Sequence, residues 1–484
     1  MFIGIDLGTS SVKALLIDEN QSVIGSGSAA LDVARPHPGW SEQEPDDWLA
    51  ATGQAMDALA ASHGREMAAV RGIGLSGHMH GATLVDVHDR AIRPCILWND
   101  TRSATEAAEL DGQPLFRQLT GNIVFPGFTA PKLLWVARHE PAHFASTRFV
   151  LLPKDYLRLW LSGEHMSDLS DSAGTAWLDV GARRWSPDLL AATGLEERQM
   201  PDLVEGTDSA GVLRPELAAR WGMGPGVVIA GGAGDNAASA AGMGCVSEGQ
   251  AFVSLGTSGV LFAANEGFRP KPESAVHAFC HALPQTWHQM GVILSATDSL
   301  NWLSGITGAS QADLTAELGG TLKAPGSATF LPYISGERTP HNDASIRGAF
   351  TGIGQETGRA GLTQAVVEGV AFAIADCNEA LANAGTRLQT VTAVGGGARS
   401  HYWLKTIATV LGIPVNIPAN GDFGAAFGAA RLGLIAATGA DPRVVMTPPA
   451  IAETIDPDAA LSGAFAERLW TYRKLYPAIK DATS

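Results

Sequence analysis

Cysteine and positive charge are both scarce in this sequence of 484 residues. The cysteines are far apart and form no CxxC pair: Cys95, Cys245, Cys280 and Cys377. Such spacing supports neither a disulfide scaffold nor a zinc ribbon. Lys and Arg together number 33 against 49 Asp and Glu, a net charge of −16, so no overall field draws the protein to nucleic acid or anionic lipid. We therefore expect no nucleic-acid partner and no membrane partner.

Several common sequence signatures are also missing. No GxxxxGK[ST] loop and no GxGxxG fingerprint occurs, which disfavours P-loop and Rossmann nucleotide sites. His78, His80 and His88 come without the HExxH or Cys/His spacing of a zinc site, so we expect no zinc. The first residues show neither a basic segment nor a cleavage site, and polar residues interrupt the two longest small-residue stretches. The sequence thus predicts a cytoplasmic protein.

Glycine, by contrast, is abundant at 56 residues, and hydrophobic residues make up 45% of the chain against 17% charged. This is the composition of a folded protein, and the length suits two large domains. Strand-like runs alternate with helical patterns, which predicts an α/β fold. We predict strands at 2–5, 12–17, 72–75, 149–152, 226–229, 251–254, 260–264 and 391–394, and helices at 45–61, 130–138, 362–383 and 402–411.

A long internal repeat organises the chain. The tetrapeptide LGTS occurs at residues 7–10 and again, about half a chain later, at 255–258. In both copies an apolar run comes before the tetrapeptide and another follows it, which is typical of a strand, a tight turn and a strand. We therefore predict two related domains, residues 1–243 and 244–484, that share a cleft. The helical pattern after about residue 459 could pack on either domain.

The first copy of the repeat lies in a setting suited to binding phosphate. The turn offers backbone N–H groups and hydroxyls to an anion, and Lys13 adds a positive charge. Because a carboxylate repels bare phosphate, Asp6 implies a divalent cation between the two. For one copy alone, a plain hairpin turn is the better interpretation, but two copies favour a clamp on a nucleoside triphosphate. The turn residues expected to bind it are Gly8, Thr9, Ser10, Gly256, Thr257 and Ser258.

A glycine triplet at residues 395–397 comes between the predicted strand 391–394 and a helix that begins near His401. Without side chains, its backbone can approach a flat ring or a ribose closely. This favours an adenosine site. A tight turn that needs glycine only for its backbone geometry is an equal alternative.

Asp235 is the one ionisable residue in the small-residue segment GGAGDNAAS, between a predicted strand and a helical stretch. The glycines before it leave room for a substrate. A carboxylate at that point can accept the proton of an attacking hydroxyl during phosphoryl transfer. The alternative is that Asp235 only caps the following helix. We favour the general base.

Together these segments carry a resemblance over the whole chain. IGIDLGTSSVK, the second LGTS, GFTAPKLLWVARHE, GGAGDNAAS and GGGARSHYW resemble the family of carbohydrate kinases that includes glycerol kinase, gluconokinase and xylulose kinase. The resemblance implies two related actin-like, ribonuclease H-like ATPase domains flanking a central cleft. It also implies Mg²⁺ and ATP as cofactors and a small sugar as substrate.

The resemblance further implies roles for individual residues. Asp235 would accept the proton, with Asn236 beside it on the sugar, and Asp6 would help to place magnesium. Met79 and His80 would line the sugar pocket. The nucleotide would be bound by the two turns together with Lys13, Asn301, Gly396, Gly397 and Ala398. For Asn301, a solvent-facing helix position is an equal alternative.

Four stretches are most similar to family members that act on xylulose: LSGHMHGATL, ILWNDTR, LLPKDYLRL and YISGERTPHN. They imply phosphorylation of D-xylulose at its 5-hydroxyl. Two residues depart from the family pattern, since His78 stands where we expect glutamine and Gly361 where a polar residue is preferred. The first bears on substrate preference and the second on a helix start. Asn99 follows a strand-like run, and we place it either near the sugar or in a local turn.

Other functions stay open at this level. A kinase for L-ribulose, gluconate, glycerol or another polyol shares the chemistry and differs in the pocket around Met79 and His80. An actin- or heat-shock-type ATPase without a sugar substrate shares the hairpin and the two-domain design. The sequence does not distinguish a monomer from a homodimer.

Overall fold

The computed structural model describes residues 1–419 and 424–483. The strands of the first half are β1 (Phe2–Leu7), β2 (Ser11–Ile17), β3 (Val23–Ala30), β4 (Glu42–Gln43), β5 (Gly72–Gly77), β6 (Thr83–Val85), β7 (Cys95–Ile96), β8 (Phe149–Leu151), β9 (Met166–Asp168), β10 (Leu178–Asp179), β11 (Arg184–Trp185), β12 (Asp202–Val204), β13 (Ser209–Val212), β14 (Val228–Ala230) and β15 (Ala233–Gly234). Those of the second half are β16 (Ala251–Leu255), β17 (Gly259–Asn265), β18 (His277–Cys280), β19 (Trp287–Ile293), β20 (Thr329–Leu331), β21 (Ala349–Thr351), β22 (Val391–Val394), β23 (Val415–Pro418) and β24 (Ile451–Ile455).

The helices follow the same two-part division along the chain. The first half contains α1 (Pro45–Ser62), α2 (Gly64–Met67), α3 (Ala104–Asp111), α4 (Pro114–Thr120), α5 (Thr129–His139), α6 (Pro141–Ser146), α7 (Pro153–Ser162), α8 (Leu169–Ser172), α9 (Pro187–Ala191), α10 (Pro215–Arg220) and α11 (Asp235–Met243). The second half contains α12 (Thr297–Thr307), α13 (Gln311–Ala316), α14 (Arg359–Asn383), α15 (His401–Leu411), α16 (Ala425–Thr438), α17 (Pro442–Val445) and α18 (Ser462–Thr483).

The central sheets of the two halves repeat one topology. The first sheet has the order β3-β2-β1-β5-β14-β13. Written in the same direction, the second has the order β18-β19-β17-β16-β22-β23-β24. In each, the LGTS turn joins an antiparallel hairpin, and the first strand of that hairpin also pairs with a parallel strand, β5 or β22. The predicted hairpins and the α/β fold are therefore confirmed, and the topology agrees with two related actin-like domains.

The predicted helices are also present, with ends that differ by a few residues. The largest difference is at α14, predicted from residue 362 and observed from Arg359, so that Gly361 lies in its first turn. By length and composition, α14 is apolar enough to cross a membrane. In the fold, however, 78% of its most apolar window is buried inside the protein, which makes it a core helix of the second half.

Helix α16 belongs to the second half by sequence but packs on the sheet of the first half. A Cβ atom at Gly4 in β1 would lie 1.8 Å from the Ala426 carbonyl oxygen, and one at Gly74 in β5 would lie 1.8 Å from that of Ala429. Only strands without side chains at these positions can let the helix backbone come so close. The packing units are thus interleaved along the chain, and the predicted division at residue 243 stays a prediction.

The last helix, α18, packs on the second half. The Tyr472 hydroxyl donates a hydrogen bond of 3.0 Å to the Tyr333 hydroxyl, and Arg473 forms an ion pair of 2.6 Å with Asp376 in α14. Phe465 of the same helix lies in the apolar core of the second half. The sequence left the position of this helix open, and its buried contacts settle it.

Candidate active site

The first LGTS turn connects β1 to β2 and is held by side chains from elsewhere in the first half. The Gly8 N–H donates to the Ser11 carbonyl at 3.0 Å, which closes the turn. The Thr9 carbonyl accepts a hydrogen bond of 2.7 Å from Gln43 Nε2, and its Oγ1 accepts one of 3.1 Å from Trp98 Nε1. These contacts fix the turn while Gly8, Thr9 and Ser10 stay partly or fully exposed.

The second LGTS turn connects β16 to β17 and is held by the beginning of α12. The Gly256 carbonyl accepts hydrogen bonds from the Thr297 N–H at 2.9 Å and the Thr297 Oγ1 at 2.8 Å. The Thr257 carbonyl accepts one of 2.8 Å from the Ala296 N–H. Thr257 and Ser258 are exposed, so their polar groups are accessible to a ligand.

Asp235 begins helix α11, directly after the short strand β15. The N-cap position belongs to Gly234 and carries no side-chain cap, so the alternative of Asp235 as a helix cap does not describe this fold. Its Oδ1 accepts hydrogen bonds from the Asn236 N–H at 2.7 Å and the Asn236 Nδ2 at 2.9 Å. Burial, followed by the negative charge of Asp6, raises the pKa of Asp235 to about 6. The carboxylate is therefore ionised at neutral pH but more basic than usual.

Asp6 lies half-buried near the end of β1, across the hairpin from Lys13 and beside Ser76 of β5. The Ser76 hydroxyl donates a hydrogen bond of 2.9 Å to its Oδ1. Within the described residues no group of three or more His, Cys, Asp or Glu gathers as a metal site. Magnesium, however, is commonly bound through one or two carboxylates plus phosphate oxygens and water. Asp6 fits that donor set, and a second carboxylate lies near it, since the charge of Asp6 contributes to the raised pKa of Asp235.

Met79 and His80 lie in the turn after β5, next to the Asp235 segment. A Cβ atom at Gly234 would lie 2.9 Å from Met79 Cγ, so Met79 packs directly on the residue before Asp235. His80 has a φ of +70°, an unusual value for a residue with a side chain. Its carbonyl accepts hydrogen bonds from Thr129 Oγ1 at 3.1 Å and Lys132 Nζ at 2.9 Å, which hold that conformation.

Two contacts orient the His80 ring, one to a backbone carbonyl and one to an aromatic ring. Its Nδ1 lies 2.6 Å from the Gly174 carbonyl oxygen, and the ring stacks on Phe128 at 4.6 Å between centroids. Burial lowers the pKa of His80 to about 3, so the ring is neutral. Since the carbonyl can only accept, Nδ1 carries the proton and Nε2 is left as an acceptor. His78, the departure from the family pattern, is buried, and neither of its ring nitrogens has a hydrogen-bond partner within the described residues.

The three glycines of the triplet lie in different surroundings. Gly395 has a φ of +91°, and a Cβ atom there would lie 2.7 Å from the Leu255 carbonyl oxygen. A Cβ at Gly397 would meet Leu255 Cβ at 2.8 Å, so these two glycines are needed for close packing on β16. A Cβ at Gly396 would meet nothing within 4 Å. Gly396 therefore presents its backbone to open space.

Two cavities lie on either side of the turn after β22 and share Arg399 in their walls. The outer cavity, about 610 Å³, is lined among others by Asn301, Gln311, Gly396, Gly397, Ser400 and Trp403. The inner cavity, about 530 Å³, is lined among others by Asn236, Ser239, Ser254, Gly395 and Ala398. Asn236 comes from the first half and Ser254 from the second. The inner cavity therefore connects the Asp235 segment to the second hairpin.

Two predicted residues lie at the edge of this arrangement. Asn99 is exposed, and in the part of the chain that the structure describes no hydrogen bond joins it to Met79 or His80. Asn301 is exposed on α12, where its Oδ1 accepts a hydrogen bond from Gln311 Nε2, and both line the outer cavity. Their roles stay predictions.

Sequence reasoning missed residues that the structure places at the site. Arg399 makes no ion pair within residues 1–419 and 424–483, although it lines both cavities. Its position directly after the triplet was the available signal, because a nucleotide site calls for a cation. Trp98 belongs to the ILWNDTR stretch, and its contact to Thr9 spans 89 positions. No local pattern gives such a contact.

Comparison with known proteins covers the same two halves. Residues 1–242 match the N-terminal domain of the FGGY family of carbohydrate kinases, and residues 251–437 match its C-terminal domain. The curated relatives include the xylulose kinase of Escherichia coli (strain K12), 50% identical over 481 residues, covering 98% of each chain. The xylulose kinase of Klebsiella pneumoniae is 47% identical over 487 residues, covering all of both chains.

Solved structures agree with these relatives. A crystal structure of a protein from Brucella ovis, described as a xyloylose kinase, is 66% identical. It has a TM-score of 0.99 and covers 99% of each chain. The two halves described above thus have the actin-like ATPase fold of such kinases.

Proposed function

The chain belongs to the FGGY family of carbohydrate kinases, and we propose that it transfers the γ-phosphoryl group of ATP to the 5-hydroxyl of D-xylulose. The sugar follows from the full-length similarity to xylulose kinases. The observation that carries the chemistry is the position of Asp235, between Met79 and the inner cavity that Asn236 lines. Family membership makes the chain a sugar kinase and speaks against a chaperone or filament ATPase.

In the proposed reaction Asp235 accepts the proton of the sugar hydroxyl. The freed oxygen forms a bond to the γ-phosphorus as the bond from that phosphorus to the β,γ-bridging oxygen breaks, which releases ADP. A pKa of about 6 suits this role, because the carboxylate is ionised at neutral pH and still has appreciable basicity. Asn236 holds the carboxylate through two hydrogen bonds and offers its remaining groups to the sugar.

The phosphates are bound between the two hairpins in this proposal. Backbone N–H groups of Thr9 and Ser10 on one side, and of Gly256, Thr257 and Ser258 on the other, stabilise the charge of the transferring group. The Gly8 N–H closes its own turn and holds that shape. Lys13 and Arg399 add positive charge to a chain whose net charge is −16. The metal would be held by Asp6. Magnesium, when bound, neutralises phosphate charge.

The sugar and the adenosine would occupy opposite ends of the site. Met79 and His80 contact the sugar, and the acceptor Nε2 of His80 selects for a hydroxyl group that donates to it. Asn99 is assigned to the same end. The outer cavity would hold adenosine against Asn301, Gly396 and Gly397, where the open face of Gly396 admits a ribose or a ring, while Ala398 faces the nucleotide from the inner cavity.

Substitution of the base tests the chemistry. Asp235→Asn removes the proton acceptor while keeping the side chain's shape, so kcat should fall by roughly 10²-fold or more. The measurement is ADP release with D-xylulose. Asp376→Asn is the matched control, because burial also raises the pKa of Asp376 to about 6, but this residue lies in α14 and pairs with Arg473. A variant at position 235 with most of its activity would contradict the assignment.

A substrate panel tests the sugar separately. The wild-type enzyme should release ADP fastest with D-xylulose and more slowly with L-ribulose, gluconate and glycerol. A faster rate with one of these would replace the substrate and leave Asp235 as the base. We place the enzyme in the cytoplasm, and sedimentation decides between a monomer and a homodimer.

A further inference from the structure

A cluster of fully buried charges lies beneath the segment that carries Asp235. Its members, all on or next to α7 and α8, are Lys154, Asp155, Arg158, Asp168 and Asp171. Lys154 Nζ lies 2.6 Å from Asp155, 2.7 Å from Asp168 and 3.2 Å from Asp171, and these side chains have no exposed area. Charges removed from water in this way are costly, so a cluster of this kind calls for a role beyond stability.

The charges of the cluster hold one another in place. Burial alone would lower the pKa of Lys154, but the surrounding carboxylates outweigh that effect and raise it. Arg158 Nη1 also forms an ion pair of 2.6 Å with Asp155. The result is a rigid polar support whose donors and acceptors have fixed positions.

Two hydrogen bonds connect this support to the catalytic segment. Arg158 Nη2 donates to the Gly231 carbonyl. At the other end, the Gly234 N–H donates at 3.1 Å to Ser170 Oγ, which itself donates to Asp168 at 2.5 Å. The backbone of residues 231–234 is thus held at its first and last residues. Asp235 follows directly.

The segment needs such support because of its composition. Three of its four residues are glycine, which has the largest conformational freedom of any residue, and Gly232 has a φ of +76°. Glycine cannot anchor itself with a side chain. Small side chains are nevertheless required, since a Cβ atom at Gly231 would lie 2.2 Å from the Glu205 carbonyl oxygen.

We propose that Ser170 is a positioning residue for phosphoryl transfer, which fixes the backbone of Gly234 and so the carboxylate of Asp235 against the reacting hydroxyl. This proposal rests on the proposed function, in which Asp235 is the base. Misplacement of a reacting group by about 1 Å can cost up to about 10²-fold in rate. Ser170 acts on the rate through the position of Asp235 and does not touch the substrate.

The test compares Ser170→Ala with Ser172→Ala. Ser172 is a matched control, because it is equally buried in α8 and its Oγ lies 2.8 Å from Ser167 Oγ, but among the described residues no hydrogen bond joins it to residues 231–235. Ser170→Ala should lower kcat by at least about ten-fold, with the KM values for D-xylulose and ATP within about two-fold. Ser172→Ala should leave kcat within about two-fold of the wild type. It should lower the melting temperature as much as Ser170→Ala does.

Two further measurements separate positioning from folding. Ser170→Ala should speed hydrogen exchange at the Gly234 amide, whereas Ser172→Ala should not. Ser170→Thr keeps the hydroxyl and should recover most of kcat. Should the alanine variant fail to fold, Ser170→Cys, a poorer hydrogen-bonding group, takes its place in the same comparison.

The proposal is overturned if Ser170→Ala, or Ser170→Cys in its place, has the kcat of the wild type. It is equally overturned if Ser172→Ala loses as much activity. Failure of the proposed function looks different: the wild-type enzyme would then show no sugar-stimulated ADP release, or Asp235→Asn would stay active. The exchange measurement at Gly234 does not depend on either result.

Discussion

The two LGTS hairpins share a fold but differ in charge. In the first, Asp6 precedes the turn and Lys13 follows it, and these residues face each other across the hairpin. In the second hairpin, Ser254 and Val260 face each other in the same way. Val260 is partly buried and packs against an apolar core cluster. Only the first copy of the repeat therefore carries charged side chains on its two strands.

They also differ in how the turn is anchored. Side chains distant in sequence, Gln43 and Trp98, hold the first turn. The second turn is held by Ala296 and Thr297, at the start of α12, which follows strand β19 of the same sheet. The backbone donors of Ala296 and Thr297 remain after a side-chain substitution, and only the Thr297 hydroxyl can be lost, whereas each side-chain donor to the first turn can be removed by one substitution. The first turn is therefore the one whose geometry depends on individual residues.

The largest expected difference between the hairpins concerns charge. Asp6→Asn should lower kcat by roughly 10²-fold and raise the Mg²⁺ concentration needed for half-maximal rate, because a lost electrostatic contact to the transferring group costs about that much. Ser254→Ala, at the corresponding position, should change kcat by less than about three-fold. Steady-state rates over a magnesium series check both. Equal losses of kcat in the two variants would show that both hairpins contribute equally to the rate.

The pH profile gives an intermediate effect. The Asp235 carboxylate must be deprotonated to act, and burial and the charge of Asp6 raise its pKa to about 6. Below that pH the protonated fraction grows, so kcat/KM should fall by about ten-fold per pH unit. Ser254→Ala should keep the same midpoint, since the second hairpin supplies no charge. A rate that stays constant down to pH 5 would contradict this origin of the profile.

The smallest expected effect concerns the anchors. Trp98→Phe keeps an aromatic ring but deletes the N–H that binds Thr9, so the KM for ATP should rise by about five-fold, as for a hydrogen bond of about 1 kcal/mol. Thr297→Val removes one donor to the Gly256 carbonyl, but the backbone donor remains. The KM for ATP should then change by less than about two-fold. Initial-rate measurements distinguish the two, and a reversed order would show that the second turn is the more sensitive.

Much of the fold and part of the site could be predicted from the sequence. The hairpins were readable because a strand, a small-residue turn and a strand are local patterns, and they occurred twice. The position of Asp235 at a helix start followed from the glycines around it. The different surroundings of the three glycines, with Gly396 open and Gly395 packed on Leu255, could not be predicted. A sequence does not show which glycine packs against a neighbouring strand.

The rest depended on contacts between distant positions. Trp98 reaches Thr9, and Ser170 reaches Gly234, across 89 and 64 positions. The packing of α16 on the first sheet could not be predicted either, because the helix pattern shows an apolar surface but not its partner. Gly4 and Gly74 looked like ordinary strand residues until the helix backbone was found against them.

Helix α16 has a consequence for the order in which the protein matures. The face of the first sheet formed by Gly4, Gly72 and Gly74 is covered by a helix that ends at Thr438. During synthesis on the ribosome, the first half emerges long before that helix exists. Its sheet can form early, but its packing is completed only when nearly the whole chain has been made. Truncation before α16 therefore removes the cover of the first domain as well as the end of the second.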